Sequence, residues 1–174
     1  MPLTMSKASL PVFEIVLNAL SANLAKAEAH ATAKKIEAAV LLNMRLAPDM
    51  FALTRQVQTT CDQAKNGAAR LAGIEPPKFE DNESSIAQLK ERIAKTVAFV
   101  KGLDSKAIDA SADREITFPL GASNKGQMQG ADYLSHFVLP NFYFHATAAY
   151  AILRHAGVEI GKRDFLGDIP IKRI

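Results

Sequence analysis

Residues 131–155 read ADYLSHFVLPNFYFHATAAYAILRH, and the spacing of their side chains decides the fold. Leu134, Val138, Asn141, His145, Ala148 and Ile152 follow at steps of four, three, four, three and four, so a helix carries all six on one face. Gly157 stands just past the end, where glycine closes a helix in the left-handed conformation. An apolar seam of this length must be covered by other elements, and the rest of the chain supplies them.

Upstream, Leu10, Phe13, Leu17, Leu20 and Leu24 mark an amphipathic helix from Ser6 to about Lys26, with Pro11 near its first turn. The polar stretch His30 to Lys35 and the short apolar run Ile36 to Met44 read as a connector with one or two helical turns. A second long helix is expected from Asp49 to Leu71, opened by Pro48 and ended by Gly73, with Met50, Leu53, Val57, Cys61, Ala64, Ala68 and Leu71 on its buried stripe. The small residues Cys61, Ala64 and Ala68 let a neighbouring helix come close, whereas Met50 and Leu53 splay it away at the Asp49 end.

Pro76-Pro77 and Glu80-Asp81-Asn82-Glu83 form a loop, and Ser85 with Gln88 is a capping box that starts a third helix, whose core face is Ile86, Leu89, Ile93, Val97 and Val100. Between Ser105 and Gly130 the helical period fails. There Ile116, Phe118 and Leu120 alternate with Glu115, Thr117 and Pro119 ahead of a turn-rich Gly121 to Gly126, so a small hairpin or extended excursion is expected. The tail Val158 to Ile174 packs back on the helices. The expectation is an all-α chain, residues 1–174 forming one domain, with that excursion before the last helix.

Composition narrows the function classes. The chain has 174 residues, 48% hydrophobic, with 21 basic and 18 acidic side chains dispersed along it for a formal charge of +3. A domain of this size buries roughly 70% of its unfolded surface and needs no staple. Dispersed charge gives no support to nucleic-acid binding. Cys61 is alone, so a reduced, cytoplasmic setting is expected. Glu14, Asn18 and Asn23 interrupt the N-terminal apolar run, so neither a signal peptide nor a membrane span is expected. No glycine-rich loop follows a strand and opens a helix, which leaves nucleotide binding without support.

The chemistry, if any, concentrates on the last helix, where Asn141 and His145 interrupt the seam one turn apart. A buried amide or imidazole without a partner costs on the order of 1 to 3 kcal/mol, so both need partners, water or a ligand. Pro140 removes one helical hydrogen bond and frees the His136 carbonyl, a kink that would open space beside the pair. Two readings follow. In one, Asn141 and His145 orient a small-molecule ligand in a pocket against the second helix, with Gln56 and Tyr143 as further candidates. In the other, the pair is satisfied internally, by Gln56 or by backbone, and the chain works by dimerisation or partner binding. Tyr143, Tyr150 and Arg154 suit a homodimer interface as well as ordinary packing on the tail. His30, His136 and His155 read as structural or solvated, and Cys61 as a packing residue.

Leu139-Pro140-Asn141-Phe142-Tyr143-Phe144-His145, the run Ala149 to Val158, the run Gly161 to Gly167, and Arg45-Leu46-Ala47-Pro48-Asp49-Met50 together resemble an uncharacterised subfamily of the DinB/YfiT-like proteins. The resemblance spans the chain and implies a four-helix bundle, often a homodimer. Many members of that superfamily are metalloenzymes, some of them transferases, with one histidine from the second helix and a His-x-x-x-His pair from the last. Asn141 stands at the first position of that pair, only His145 matches the second, and no histidine lies between Asp49 and Leu71, Gln56 and Gln58 being the nearest polar side chains. A divalent metal such as zinc or nickel, and with it a metal-dependent transferase or hydrolase activity, would need a rebuilt site, for which Glu14 is the candidate carboxylate. No cofactor is therefore expected, and His145 is the one retained metal-ligand candidate.

Overall fold

The computed structural model describes residues 3–121 and 123–172. Helix α1, Met5–Lys34, starts where the Thr4 side chain accepts from the Lys7 amide at 3.4 Å. It runs eight residues past the expected end at Lys26, because Ala27 and Ala31, at 0% and 3% exposure, carry its buried stripe onward. Alanine is the best helix former, and an alanine seam shows little hydrophobic contrast in sequence. His30 therefore lies in α1 and not in a connector. By length and mean hydropathy of 1.4, α1 is a helix that could cross a membrane, but Phe13, Leu17, Leu20 and Leu24 on its stripe are core residues.

The short α2, Ala38–Asn43, leads into a loop pinned by Arg45, whose guanidinium donates to the Pro48 and Met50 carbonyls at 3.4 and 3.2 Å. Helix α3, Leu53–Ala72, therefore begins four residues after the expected Asp49: Pro48 sits in a turn, and the Leu53 amide bonds the Met44 carbonyl at 2.9 Å. Met50 is correspondingly only half-buried, whereas Leu53, Val57, Cys61, Ala64, Ala68 and Leu71 are sealed. Gly73 closes α3 at φ 77°, where only a residue without a side chain is unstrained.

In α4, Ile86–Lys101, the Ser85 hydroxyl accepts from the Gln88 amide, and the Gln88 side chain reaches back to the Ser84 amide. A five-residue helix, α5 (Ser105–Asp109), interrupts the region expected to lack helix. The hairpin follows as β1, Glu115–Leu120, paired antiparallel with β2, Asn124–Gln129, in the register Phe118 to Gly126. A Cβ on Gly126 would lie 2.9 Å from the Phe118 ring, so the glycine makes room for that ring to fold inward onto Tyr133 and Phe137. Ala122, in the expected turn, lies outside the described residues.

The last long helical stretch opens with α6, Gly130–Asp132, widens into a π-helical segment over Tyr133–Val138, and continues as α7, Leu139–His155. The π turn is the answer to Pro140. Its wider spacing, in which the Leu139 amide bonds Leu134 five residues back, lets the proline start a fresh helix instead of colliding with the turn before it. Val158 and Ile160 then enter the core, and α8, Lys162–Leu166, lies on α1 through a Lys26 to Asp164 ion pair at 2.5 Å. Tyr150 packs against Phe165 of α8 at 5.6 Å. Arg173 and Ile174, the end of the expected tail, lie outside the described residues.

The molecule is thus mostly helical with a two-stranded hairpin ahead of its last helices. Helix α1 packs on α4 and α7, and α3 packs on α7 and α4. Helix α3 comes very close to the π segment, where a Cβ on Gly67 would fall 2.5 Å from Val138 Cγ1.

Candidate functional site

Where α7 faces the start of α3, the His145 ring is half-buried and its Nδ1 lies 2.8 Å from Gln56 Oε1. Gln56, 1% exposed, donates its own Nε2 to the Phe51 carbonyl at 3.3 Å. A carbonyl can only accept, so the amide nitrogen must face Phe51 and the amide oxygen must face His145. Nδ1 therefore carries the proton. Nε2 is left with its lone pair, makes no bond among the described residues, and is not among the buried unpartnered atoms, so it is open to solvent. Burial first, and then the nearby Arg55 charge, hold the imidazole below its ordinary pKa, so the ring is neutral near pH 7.

Phe51 lies 6.2 Å from the His145 ring at 19°, and Phe144 meets it edge-on at 5.2 Å and 88°. Both phenylalanines are about half exposed, at 49% and 58%. Arg55 covers part of Phe51 from 5.8 Å, and its charge is taken by Asp81.

Of the four residues singled out in the sequence, the structure brings His145 and Gln56 into contact. Asn141 lies one turn back, half-buried, and donates Nδ2 to the Phe137 carbonyl at 2.7 Å, without a bond to His145. Tyr143 is two residues from His145, roughly 200° around the helix. It contacts Phe142 at 5.7 Å and stands apart from the site. The fully buried ring of this run is Phe142, against Phe13.

A metal of the kind the superfamily resemblance implies does not fit these donors. Among the described residues no group of three or more His, Cys, Asp or Glu side chains is placed to hold an ion. Glu14 is on the far side of α1, bonded to Lys101 at 2.8 Å. Gln56 is committed at both ends, and Gln58 donates to Glu83 at 2.8 Å. His136 is largely exposed beside Asp132, and His155 is exposed in the last turn. Cys61 is sealed in the core, where burial pushes its thiol up to about 12, unsuited to act as a nucleophile.

Sequence reasoning passed over a second polar cluster beneath the Pro76 to Glu83 loop. Arg92, 2% exposed, donates to Asp62 at 2.9 Å and to Glu83 at 3.0 Å, and pairs with Asp81 at 2.9 Å. Lys65, 4% exposed, donates to the Pro77 carbonyl at 2.7 Å and sits 4.4 Å over the Phe79 ring. Burial alone would raise the Glu83 carboxyl, but hydrogen bonds from Gln58 and Arg92 outweigh it and hold Glu83 below the ordinary carboxylate range. In sequence, the acidic run looks like a solvated loop; the signal that could have found the cluster is Arg92, one position before the core residue Ile93. A cleft of about 480 Å³ borders this loop and another of about 1040 Å³ lies between α1 and the tail; neither is lined by Asn141 or His145.

Fold and site together define a DinB-like helical protein with a histidine–glutamine pair between α7 and α3. Over 97% of its length the chain is similar to the crystal structure of a DinB family member protein from Shewanella denitrificans, with 41% identity, 95% of that chain covered and a TM-score of 0.89. The chain belongs to the family described as a domain of unknown function, DUF1993, whose model matches residues 5–166. No curated protein matches it.

Proposed function

We propose that this protein is a four-helix bundle of DinB type that binds a small molecule at His145 without the superfamily metal. The observation that carries this reading is the chain of bonds from His145 Nδ1 through Gln56 to the Phe51 carbonyl. An imidazole locked in one tautomer, neutral, with an unpaired Nε2 and two exposed rings packed against it, is prepared to accept a hydrogen bond from a bound group. The bundle reading is supported by the packing of α1, α3, α4 and α7 on one another. A cytoplasmic location belongs to the same proposal, supported by the lone Cys61 thiol.

One observation favours a second reading. Phe51 and Phe144 are large, exposed and set against the His145 ring, as suits a subunit interface, so a homodimer with no ligand chemistry would also cover the site. Long-range proton–nitrogen NMR of labelled histidine tests both. The ligand reading expects Nδ1 protonated and Nε2 bare at pH 7, with the Nε2 signal moving on titration with a library of small fragments. A protonated Nε2, or silence throughout the library, would defeat it. Movement of the same signal with protein concentration alone, matched by dimerisation in sedimentation, would establish the interface instead.

A further inference from the structure

We infer that the His145 site takes a neutral molecule with an O–H or N–H donor on a flat apolar frame, of the phenol or indole kind, and discriminates against anions. This rests on the reading of His145 as a binding residue. The first ground is a count of what the site has left to offer. His145 has spent its Nδ1 proton on Gln56, so it meets solvent as an acceptor. Asn141, one turn earlier on the same helix, has spent an amide hydrogen on the Phe137 carbonyl, and its Oδ1 makes no bond among the described residues and is not sealed from solvent. Two residues, each with a free acceptor, therefore stand one turn apart on α7, about 6 Å of helix rise.

A carboxylate or phosphate brought to such a face sets lone pairs against lone pairs. It would bind well only if His145 took up a proton, which burial and the Arg55 charge oppose. Arg55 meets Asp81 and Gln58 Oε1 through Nη1, so an anion drawn to its guanidinium would have to compete with the Asp81 carboxylate already seated there. An ammonium could donate to Nε2, but it would sit beside that guanidinium. A neutral donor meets neither penalty. The second ground is shape: Phe144 edge-on and Phe51 nearly parallel to the imidazole leave two exposed ring surfaces against which a flat apolar frame can lie.

The test is titration of the whole chain with phenol, indole, benzoate and benzylamine, followed at the His145 Nε2 signal and repeated in Phe144→Ala, a substitution at an exposed position. Phenol and indole should saturate the signal, benzoate and benzylamine should bind about tenfold or more weaker, and Phe144→Ala should weaken phenol. Benzoate or benzylamine binding as tightly as phenol overturns the inference while leaving the site itself standing. Phenol binding untouched by Phe144→Ala overturns it as well. Silence of all four probes also overturns it, and the fragment library above then decides separately whether the site binds anything.

Discussion

His145 and Gln56 illustrate how a polar pair is kept inside a helical protein. The Gln56 oxygen is almost completely buried, and the imidazole N–H is its donor. His145→Ala removes that donor, so the variant should lose about 1 to 3 kcal/mol in denaturant titration, the usual cost of orphaning a buried acceptor. The pH dependence has a definite sign. The folded-state pKa of His145 lies below the ordinary 6.5, so the stability contributed by the neutral ring is complete above about pH 6.5 and is lost as pH falls through the folded value. Thermal melts of wild type should therefore decline between pH 7 and 5 more steeply than those of His145→Ala. Equal slopes would show that this imidazole titrates normally.

Two helical elements meet closely where α3 passes the π segment. Gly67 faces Val138, which is itself fully buried, and any Cβ there must displace it. Gly67→Ala gains helix propensity of up to about 1 kcal/mol, but overpacking of a filled core costs about 1 to 3 kcal/mol, so the variant should be net destabilised. Val138→Ala in the same chain should recover part of the loss, a coupling that a double-mutant cycle reads directly. Independent, additive effects would mean that the two helices relax apart freely. The close approach of α3 rests on Gly67, a residue outside the Cys61, Ala64 and Ala68 stripe from which the sequence implied close packing. The π segment is not legible there: a proline at residue 140 announces a disturbance, but only the packing of Phe137, Val138 and Phe142 chooses a widened turn over an open kink.

At the scale of the molecule, Arg92 ties α4 to α3 and to the loop between them through Asp62, Asp81 and Glu83. Arg92→Leu removes the cation these carboxylates share, leaving Asp62 to Lys65, Asp81 to Arg55 and Glu83 to Gln58, and should cost about 1 to 3 kcal/mol, the range for charge-assisted hydrogen bonds lost at a partly exposed network. Glu83 is held below the ordinary carboxylate range, so its contribution is present above the unfolded value of 4.5 and is lost as pH falls through the folded one. Acid unfolding followed by circular dichroism should consequently be shallower in Glu83→Gln than in wild type. An unchanged acid limb would place the acid sensitivity elsewhere.

Local chemistry was enough for the sequence to determine the caps at Ser85 and Gly73, the alternation that became the hairpin, and the helical face that carries Asn141 and His145. Each of these depends on residues within a few positions of one another. Two boundaries were misread because local signals misled: alanines hid the continuation of α1, and Pro48 looked like a helix start although Arg45 holds it in a turn. The sequence offered Gln56 as a candidate without saying what it would touch. Only the tertiary structure joined it to a histidine 89 residues away, set Tyr143 apart, and gathered Arg92 with three carboxylates. Periodicity says which residues share a face, but the partner of a buried polar group is chosen by how faces meet. That choice fixes the His145 tautomer.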